Sequence, residues 1–423
     1  MPFTWPMPST PSLWRLRDLR VVVVARALCL LGDEAAVVAL VLRTHDRGEG
    51  GWVVAALFAA AALPAALFAP WVGRLVDTRS SRQLLVTAGL VQAVLCCGLS
   101  VVSAPAGVLV LVALLGLGQA VTAVTWQALL PHIVGPDRLA SALGLSQATA
   151  TGAAVLAPVL AGLLVGTVGA APVLLLDAAT FLALTAAGLL VRTMRRPDVV
   201  APGQVQPKGR ARDGALFLSQ DKVVAPLVAA LLAFVLLAGS VNVVEVFLVR
   251  DSYGASSTWY GLLGAVFAVG LVLGSALAGR CRGSLSLVRA DLAGVAALAA
   301  GLVLFGLVPG VVLALPAALL AGTGNGAVNV ATGALVLGRA PDALRGRVGA
   351  ALGGSTNAAM LASLALGGGL AAVLDPRAVF LLGGGAALLV VALAAPPVLR
   401  AVRRELSSYQ PSEIVPAPAP SPA

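Results

Sequence analysis

Charged residues are scarce in this chain of 423 residues, where Asp, Glu, Lys and Arg make up 11% and hydrophobic residues 59%. A typical soluble domain has roughly 25% charged residues, so too little polar surface exists here to cover a water-soluble globule. The high hydrophobicity also excludes a disordered chain. The composition therefore predicts a polytopic membrane protein with about a dozen spans, because each span needs ~20 apolar residues.

Side chains that bind metals, form disulfides or hold phosphates are equally rare. The two histidines and four scattered cysteines have no metal-like spacing, which argues against a zinc site and a disulfide framework. The chain has two lysines and no G-x-x-x-x-G-K-S/T loop, so ATP-driven transport is not expected. No catalytic motif occurs, and we expect no enzyme activity, no cofactor and no metal.

Twelve apolar stretches are long enough to cross a bilayer as helices, and they are far longer than barrel strands. We predict an all-α polytopic membrane protein with twelve transmembrane helices in two pseudo-symmetric six-helix bundles. The predicted spans are 20–43, 52–72, 83–103, 107–130, 142–167, 170–191, 223–248, 258–279, 288–308, 311–337, 347–373 and 377–398.

Basic residues set the orientation. With both termini in the cytoplasm, 23 of the 28 Lys and Arg residues fall in cytoplasmic segments, four in external loops and one, Arg26, within a span. Membrane proteins concentrate these residues on the cytoplasmic side. The distribution predicts a multi-pass protein of the cell membrane with both ends inside. It also accounts for the net charge of +10 without nucleic-acid binding.

The spans divide into two halves of six. The predicted parts are a cytoplasmic N-terminus (1–19), a first bundle (20–191), a basic cytoplasmic linker (192–222), a second bundle (223–398) and a tail (399–423). The Pro-Ala alternation at the end of the tail is typical of disorder.

An internal repeat supports two homologous halves. Pro-Asp-Arg-Leu at 136–139 returns as Pro-Asp-Ala-Leu at 341–344, and Gly73-Arg74 returns as Gly279-Arg280, at offsets of 205 and 206 residues. Such halves place a substrate path at their interface, as in transporters that rock about a central site.

The segment 73–82 carries the most specific motif. It resembles the loop between helices two and three of the major facilitator superfamily, G-x-L-x-D-R-x-G-R-R. Gly73, Leu75, Asp77 and Arg82 match, whereas threonine and serine replace a basic residue and the second glycine.

In that family this loop closes the cytoplasmic side through contacts with the eleventh helix. Glycine allows close helix approach, and aspartate caps a helix or pairs with an arginine. The resemblance implies a conformational latch made of Gly73, Leu75, Asp77, Arg79, Arg82, Arg345 and Arg347. The alternative is an ordinary basic loop.

Three further stretches, Leu31-Gly32-Asp33, 131–144 and 341–347, resemble the enterobactin and macrolide exporters of this superfamily. The resemblance covers nearly the whole chain. It implies outward transport of a small, amphipathic organic molecule, driven by inward proton flow.

The fifth span contains a degraded form of the antiporter motif G-x-x-x-G-P-x-x-G-G. Pro158 and Gly162 match, alanines stand at the other glycine positions, and Gly152 precedes them. Small residues every fourth position let helices pack closely, and proline kinks a helix. This pattern is typical either of an antiporter or of a generic packing face.

Ionisable residues within spans are costly and are therefore functional candidates. Asp33 and Glu34 lie near the middle of the first span, and Arg26 is two helical turns before Asp33. We predict proton or substrate coupling by these residues. The alternative is a permanent Arg26–Asp33 structural pair.

Other polar residues in the spans can line a cavity between the halves or form interhelical hydrogen bonds. These candidates are Gln119, Gln127, Gln147, Glu245, Asn325, Asn329 and Asn357. Glu245 either lines the external mouth or reaches outward to water. For Asp177 and Asp291 we expect structural roles.

The expected partners are a small-molecule substrate, protons and the lipid bilayer, and we expect a monomer. The function predicted is secondary transport by alternating access, most simply as proton-coupled export. Two alternatives are an importer of a small nutrient in the same fold and a non-transporting membrane sensor or scaffold.

Overall fold

A computed structural model describes residues 16–135, 138–193, 211–221, 223–341 and 344–408, and these ranges contain no strand. A π-helical turn spans Leu248–Ser252. The helices are α1 (Arg17–Asp46), α2 (Gly51–Leu67), α3 (Ala69–Thr78), α4 (Ser81–Val101), α5 (Pro105–Val134), α6 (Leu139–Val168), α7 (Ala170–Leu190), α8 (Ala211–Gln220), α9 (Val224–Ala238), α10 (Val241–Phe247), α11 (Ser257–Ala278), α12 (Ser284–Leu307), α13 (Val311–Arg339), α14 (Arg345–Val373) and α15 (Pro376–Ser408).

By length and hydropathy, the described helices account for up to eleven membrane spans, and α1 is a candidate for a twelfth. Within the described ranges, ten helical segments are long and apolar enough to cross a membrane, and the bent pair α2–α3 makes an eleventh. The remaining candidate is α1, whose 30 residues are also long enough to cross. It differs from the others in having Arg26, Asp33 and Glu34 in its apolar stretch. The predicted all-α architecture is confirmed.

The two sets of helices, α1–α7 (the first half) and α9–α15 (the second half), pack in the same pattern. α4 contacts α5 and α7, as α12 contacts α13 and α15. α2 contacts α5 as α11 contacts α13, and α1 contacts α6 and α7 as α9 contacts α14 and α15. Contacts between the halves join α2 to α14 and α6 to α11, which are equivalent pairs under the same pseudo-two-fold axis.

The predicted span at 52–72 needs a correction, because it is broken into two helices. The chain bends by 56° between α2 and α3, at Phe68. Pro64 lies inside α2 and Pro70 lies in the first turn of α3. Proline lacks the N–H that would donate to the preceding turn, so two prolines six residues apart favour a break between them.

The prediction of a loop over 73–82 was also wrong in part. α3 continues through Gly73 to Thr78, and only Arg79 and Ser80 separate it from α4. The Ser80 hydroxyl accepts a hydrogen bond from the Gln83 amide at 3.3 Å, which caps the start of α4. The motif therefore lies mostly on a helix end.

The linker and the tail contain more helix than the sequence indicated. α8 lies within the predicted linker, and α15 continues ten residues past the predicted end of the last span at 398. Arg339 donates two 3.0 Å hydrogen bonds to the Glu405 carboxylate, which ties the last turns of α15 to α13. The rest of the predicted linker, tail, N-terminus and repeat is not among the described residues. It comprises residues 1–15, 136–137, 194–210, 222, 342–343 and 409–423.

Asp221 caps α9 at the start of the second half. Its carboxylate accepts hydrogen bonds from the Val223 and Val224 amides at 2.8 and 2.9 Å and from Arg339 Nε at 3.1 Å. Burial alone would raise the pKa of Asp221, but these hydrogen bonds together lower it. Because the folded pKa is lowered, this stabilisation is present at neutral pH and is lost as the pH falls through that pKa.

We expect Asp221→Ala to reduce the free energy of unfolding by about 1 kcal/mol, the usual contribution of a helix cap. Thermal unfolding of the protein in detergent measures the change. Ser219→Ala, which removes a hydroxyl that bonds only within its own helix turn, is the matched control. Equal unfolding temperatures for the two variants would contradict the capping role.

Candidate functional site

A cavity of about 270 Å³ lies inside the first half, between α1, α4, α5 and α7. It brings together all three residues predicted for coupling, Arg26, Asp33 and Glu34, with one predicted cavity residue, Gln119. The rest of its lining, which sequence reasoning did not assign to a site, is Val22, Cys29, Leu30, Val37, Leu85, Thr122, Ala123, Trp126, Phe181 and Leu184. The cavity is thus amphipathic, with charged groups on one wall and aromatic rings beside them.

Asp33 has no ion-pair partner in this conformation. Among the described residues, no Arg26 nitrogen lies within 4.0 Å of an Asp33 oxygen, so the permanent pair considered from the sequence is not formed. Arg26 Nε and Asp33 Oδ1 are buried without a hydrogen bond, while the Gln119 side chain interacts with the Asp33 carboxyl. Leaving buried polar atoms unsatisfied costs free energy, so the Asp33 carboxyl can gain a proton or a hydrogen-bond donor, and the Arg26 guanidinium can gain an acceptor.

A second carboxyl lies directly behind Asp33. Asp177 of α7 is fully buried and accepts hydrogen bonds from Cys96 Sγ at 3.2 Å and Thr180 Oγ1 at 3.1 Å. The structural hydrogen bonds expected for Asp177 are therefore present. A Cβ on Gly32 would overlap Asp177 Oδ1, so a larger residue here would displace the Asp177 side chain or move α1 away from α7.

Gly32 thereby places Asp33 beside Asp177, and the two carboxyls interact electrostatically. Sequence reasoning missed this pairing, because the two residues are far apart in the chain. The available signal was an acidic residue in an otherwise apolar helix, which marks a functional candidate in a membrane protein.

The other predicted cavity amides do not line this cavity. Gln127 of α5 and Asn357 of α14 are exposed. Asn329 Nδ2 donates to Asn325 Oδ1 at 2.9 Å within α13, so this hydrogen bond lies within one helix and is not the interhelical bond considered as the alternative. The side chain of Gln147 lies outside the described residues.

Two further carboxyls lie in the second half. Glu245 of α10 is partly buried and interacts electrostatically with the hydroxyls of Tyr253 and Tyr260. Asp291 of α12 is buried and accepts a hydrogen bond from Thr332 Oγ1 of α13. The structural role expected for Asp291 fits this contact.

Glycines show where the two halves touch. A Cβ on Gly51 would overlap Ala371 Cβ, and one on Gly162 would lie 2.8 Å from Gly261 Cα. Toward the other ends of α6 and α14, at the middle of α6 and near the start of α14, a Cβ on Gly152 or Gly353 would meet no described atom within 4 Å. We call the first end the closed end and the second the open end.

The stretch of α6 with the antiporter-like motif forms the tightest contact at the closed end. A Cβ on Gly261 of α11 would overlap the Pro158 carbonyl oxygen and lie 2.9 Å from Gly162 Cα. Backbone therefore meets backbone across the two halves, which small residues permit. Gly152, the third residue of this prediction, lies toward the open end and makes no such contact.

A hydrogen bond and an ion pair, placed reciprocally, also join the halves at the closed end. His45 Nε2 lies 2.9 Å from Asp251 Oδ1, and Arg250 Nη2 lies 3.0 Å from Asp46 Oδ1. His45 and Asp46 end α1, and their partners are about 205 residues later, at the offset of the internal repeat. The pairs thus follow the pseudo-two-fold axis.

We expect the single variants Asp46→Arg and Arg250→Asp to weaken the closed end, because each places like charges together. An exposed ion pair contributes about 0.2–1 kcal/mol, so the closed population should fall up to about fivefold. The charge-swapped double variant should recover most of this loss. Distances between spin labels across the closed end measure the closed population of each variant. If the double variant showed the sum of the two single losses, the pairing would be contradicted.

The predicted latch residues lie at the open end, and three of the arginines among them have other partners in this conformation. Arg347 Nη1 donates to Asp213 of α8 at 3.0 Å, and a Cβ on Gly214 would overlap the Arg347 carbonyl oxygen. Arg82 donates to the Val191 carbonyl at 2.8 Å, which keeps it within the first half.

The remaining latch residues occupy the ends of α3 and α14. Leu75 packs in a small apolar cluster between α3, α4 and α5, Arg79 follows α3, and Arg345 Nε donates to the Leu337 carbonyl at 3.1 Å. Asp77 lies in the last turn of α3, with an exposed side chain. A Cβ on Gly73 would meet no described atom within 4 Å, so the close approach that this glycine allows is not made here.

Two pseudo-symmetric six-helix bundles that meet at a closed end, with an amphipathic cavity among their helices, define a membrane transporter. The sequence profile of the Major Facilitator Superfamily matches residues 22–353. The chain belongs to this superfamily. No curated protein sequence matches it.

Solved structures of transporters share the fold. The nucleoside transporter NupG has a TM-score of 0.73 at 13% identity, over 90% of this chain and 99% of that one. A bacterial homologue of the iron transporter ferroportin in an inward-facing state has a TM-score of 0.69 at 18% identity, over 92% and 99%. A POT family transporter in complex with 5-aminolevulinic acid has a TM-score of 0.70 at 12% identity, over 91% and 96%.

Proposed function

We propose that the protein is a proton-coupled exporter, which moves a small amphipathic organic compound out of the cell by alternating access. The resemblance to enterobactin and macrolide exporters supports this direction of transport. The observation that supports coupling most is Asp33, a carboxyl without an ion-pair partner in an amphipathic cavity. Protons, the substrate and the bilayer are its partners, and it acts as a monomer.

The orientation follows from the basic residues. With both termini in the cytoplasm of the cell, the open end with Arg79, Arg82 and Arg345 faces inward. The conformation described here is then inward-facing, ready to take substrate from the cytoplasm. The closed end, with the His45–Asp251 and Arg250–Asp46 pairs, forms the outer gate.

Asp33 couples proton to substrate if its carboxyl holds one of them at a time. Substrate entering from the open end meets Asp33, Glu34 and the ring of Trp126, and its binding favours the ionised carboxyl. A proton arriving from outside binds the Asp33 carboxyl and releases the substrate. The protein then returns to the inward-facing state and carries the proton inward. One proton crossing 100 mV supplies ~2.3 kcal/mol, enough for roughly fortyfold accumulation.

Arg26 and the latch take part as the two halves move. When no proton is bound, Arg26 is the nearest cation on the same helix and compensates the charge of Asp33. When the open end closes, Arg347 leaves Asp213 and joins Arg345 against Asp77 and the α3–α4 turn. The close approach that Gly73 and Leu75 allow is made in that outward-facing state.

A susceptibility screen of an efflux-deficient host tests the function. Expression should protect against one or more amphipathic compounds. The purified protein in liposomes should then accumulate such a compound only with an imposed pH gradient of the predicted sign. Accumulation of a compound in intact cells would indicate an importer, and movement of neither solute nor protons would indicate a non-transporting protein.

A further inference from the structure

A groove runs along the outer surface of the first half, on the side of α1 that faces away from the candidate site. It lies between α1 and α7 at the open end and has a volume of about 580 Å³. Val24, Leu28 and Leu190 line it with half-exposed apolar side chains. Ala183 and Ala186 leave room between the two helices.

Two arginines mark the end of this groove. Arg17 and Arg20 are exposed and line it, and among the described residues neither guanidinium has a hydrogen bond or an ion pair. Residues 17, 21, 24 and 28 are spaced at three or four, so the basic and apolar groups form one stripe on α1.

The neighbouring acid does not neutralise these arginines by pairing with them. The Asp18 carboxylate turns to the end of α7, where it accepts hydrogen bonds from Thr193 N and Oγ1, both at 2.7 Å, and from Arg192 N at 3.1 Å. Burial alone would raise the pKa of Asp18, but these hydrogen bonds lower it. The groove end therefore retains unpaired positive charge beside a fixed carboxylate.

We propose that the groove binds an anionic phospholipid, with its phosphate at Arg17 and Arg20 and an acyl chain along α1 and α7. Eleven residues separate Arg17 from Leu28, which is about 16 Å of helix and matches one leaflet of a ~30 Å hydrocarbon core. The basic pair therefore lies at headgroup depth. Basic pockets between membrane helices on the cytoplasmic side are typical sites for anionic headgroups.

Photo-crosslinking in phosphatidylcholine nanodiscs tests the site, with a trace of photoactivatable phosphatidylglycerol or photoactivatable phosphatidylcholine. Phosphatidylglycerol should label the peptides around 17–28 and 183–190 about thirtyfold more, the equivalent of roughly 1 kcal/mol for each arginine. Arg17→Gln with Arg20→Gln should reduce labelling to the phosphatidylcholine level. Arg400→Gln with Arg403→Gln, which removes the same charge from exposed positions on α15, should leave it unchanged.

A second variant tests the apolar part independently of charge. Ala186→Trp fills the groove, and on protein that remains monodisperse it should abolish labelling by both lipids. Equal labelling by the two lipids would overturn the proposal, as would an equal loss in the α15 control. A crosslink between residues 1–15 and the groove, instead of lipid, would overturn it as well.

Discussion

Asp33→Asn should reduce pH-driven transport by about a hundredfold or more while substrate exchange without a gradient persists. Asparagine keeps the size of the side chain and its contact with Gln119, but it cannot take up or release a proton. Removing a positioned proton carrier typically lowers a rate by 10²–10⁴-fold. The measurement is the initial rate of substrate accumulation in liposomes, with and without an imposed pH gradient.

Asp291→Asn is the matched control, because it also replaces a buried carboxyl, in the opposite half and outside the cavity. It should keep the dependence on the gradient, even if the loss of the Thr332 hydrogen bond lowers stability. Wild-type gradient dependence in Asp33→Asn would show that a different group carries the proton.

Gly261→Val should prevent the closed end from forming and should lower transport by roughly a hundredfold. The added side chain meets the Pro158 carbonyl and Gly162 Cα, which are backbone atoms that cannot rotate away. Overpacking of this kind costs about 3 kcal/mol, or two decades in the closed population. Transport assays, together with the thiol reactivity of a Ser257→Cys reporter, which is buried at this seam, measure both effects.

Gly152→Val provides the control for this variant, since the same change on α6 meets open space in this conformation. It should leave the reactivity of the reporter thiol low. If Gly261→Val also left that thiol protected and transport intact, close packing at the seam between α6 and α11 would not be needed for closure.

The spans were predictable because length and hydropathy decide them in a bilayer. Asp33 and Arg26 were predictable as candidates for the same reason, since ionisable groups in an apolar helix are rare. The bend at Phe68 was missed although Pro64 and Pro70 signalled it, because the apolar stretch continues through them. The helix α8 was missed because it is short and lies in a polar segment.

The neighbours of Asp33 were not predictable from one sequence. Gln119 and Asp177 reach it through helix packing, and the chain alone does not say which faces of α1, α5 and α7 meet. The same holds for the contact of Gly162 with Gly261 and for the pair His45–Asp251. These contacts depend on how the two halves are arranged. The internal repeat indicates that the halves are related by symmetry, but it does not say which of their surfaces meet.

Distances across both ends of the molecule test alternating access most directly. Spin labels at Gly50→Cys with Ser256→Cys report the closed end, and labels at Gln83→Cys with Gly338→Cys report the open end, with Cys97 and Cys281 replaced by alanine. As pH and substrate are varied, the first distance should lengthen in the same population in which the second shortens. Two distances that stay fixed, or that lengthen together, would contradict the account.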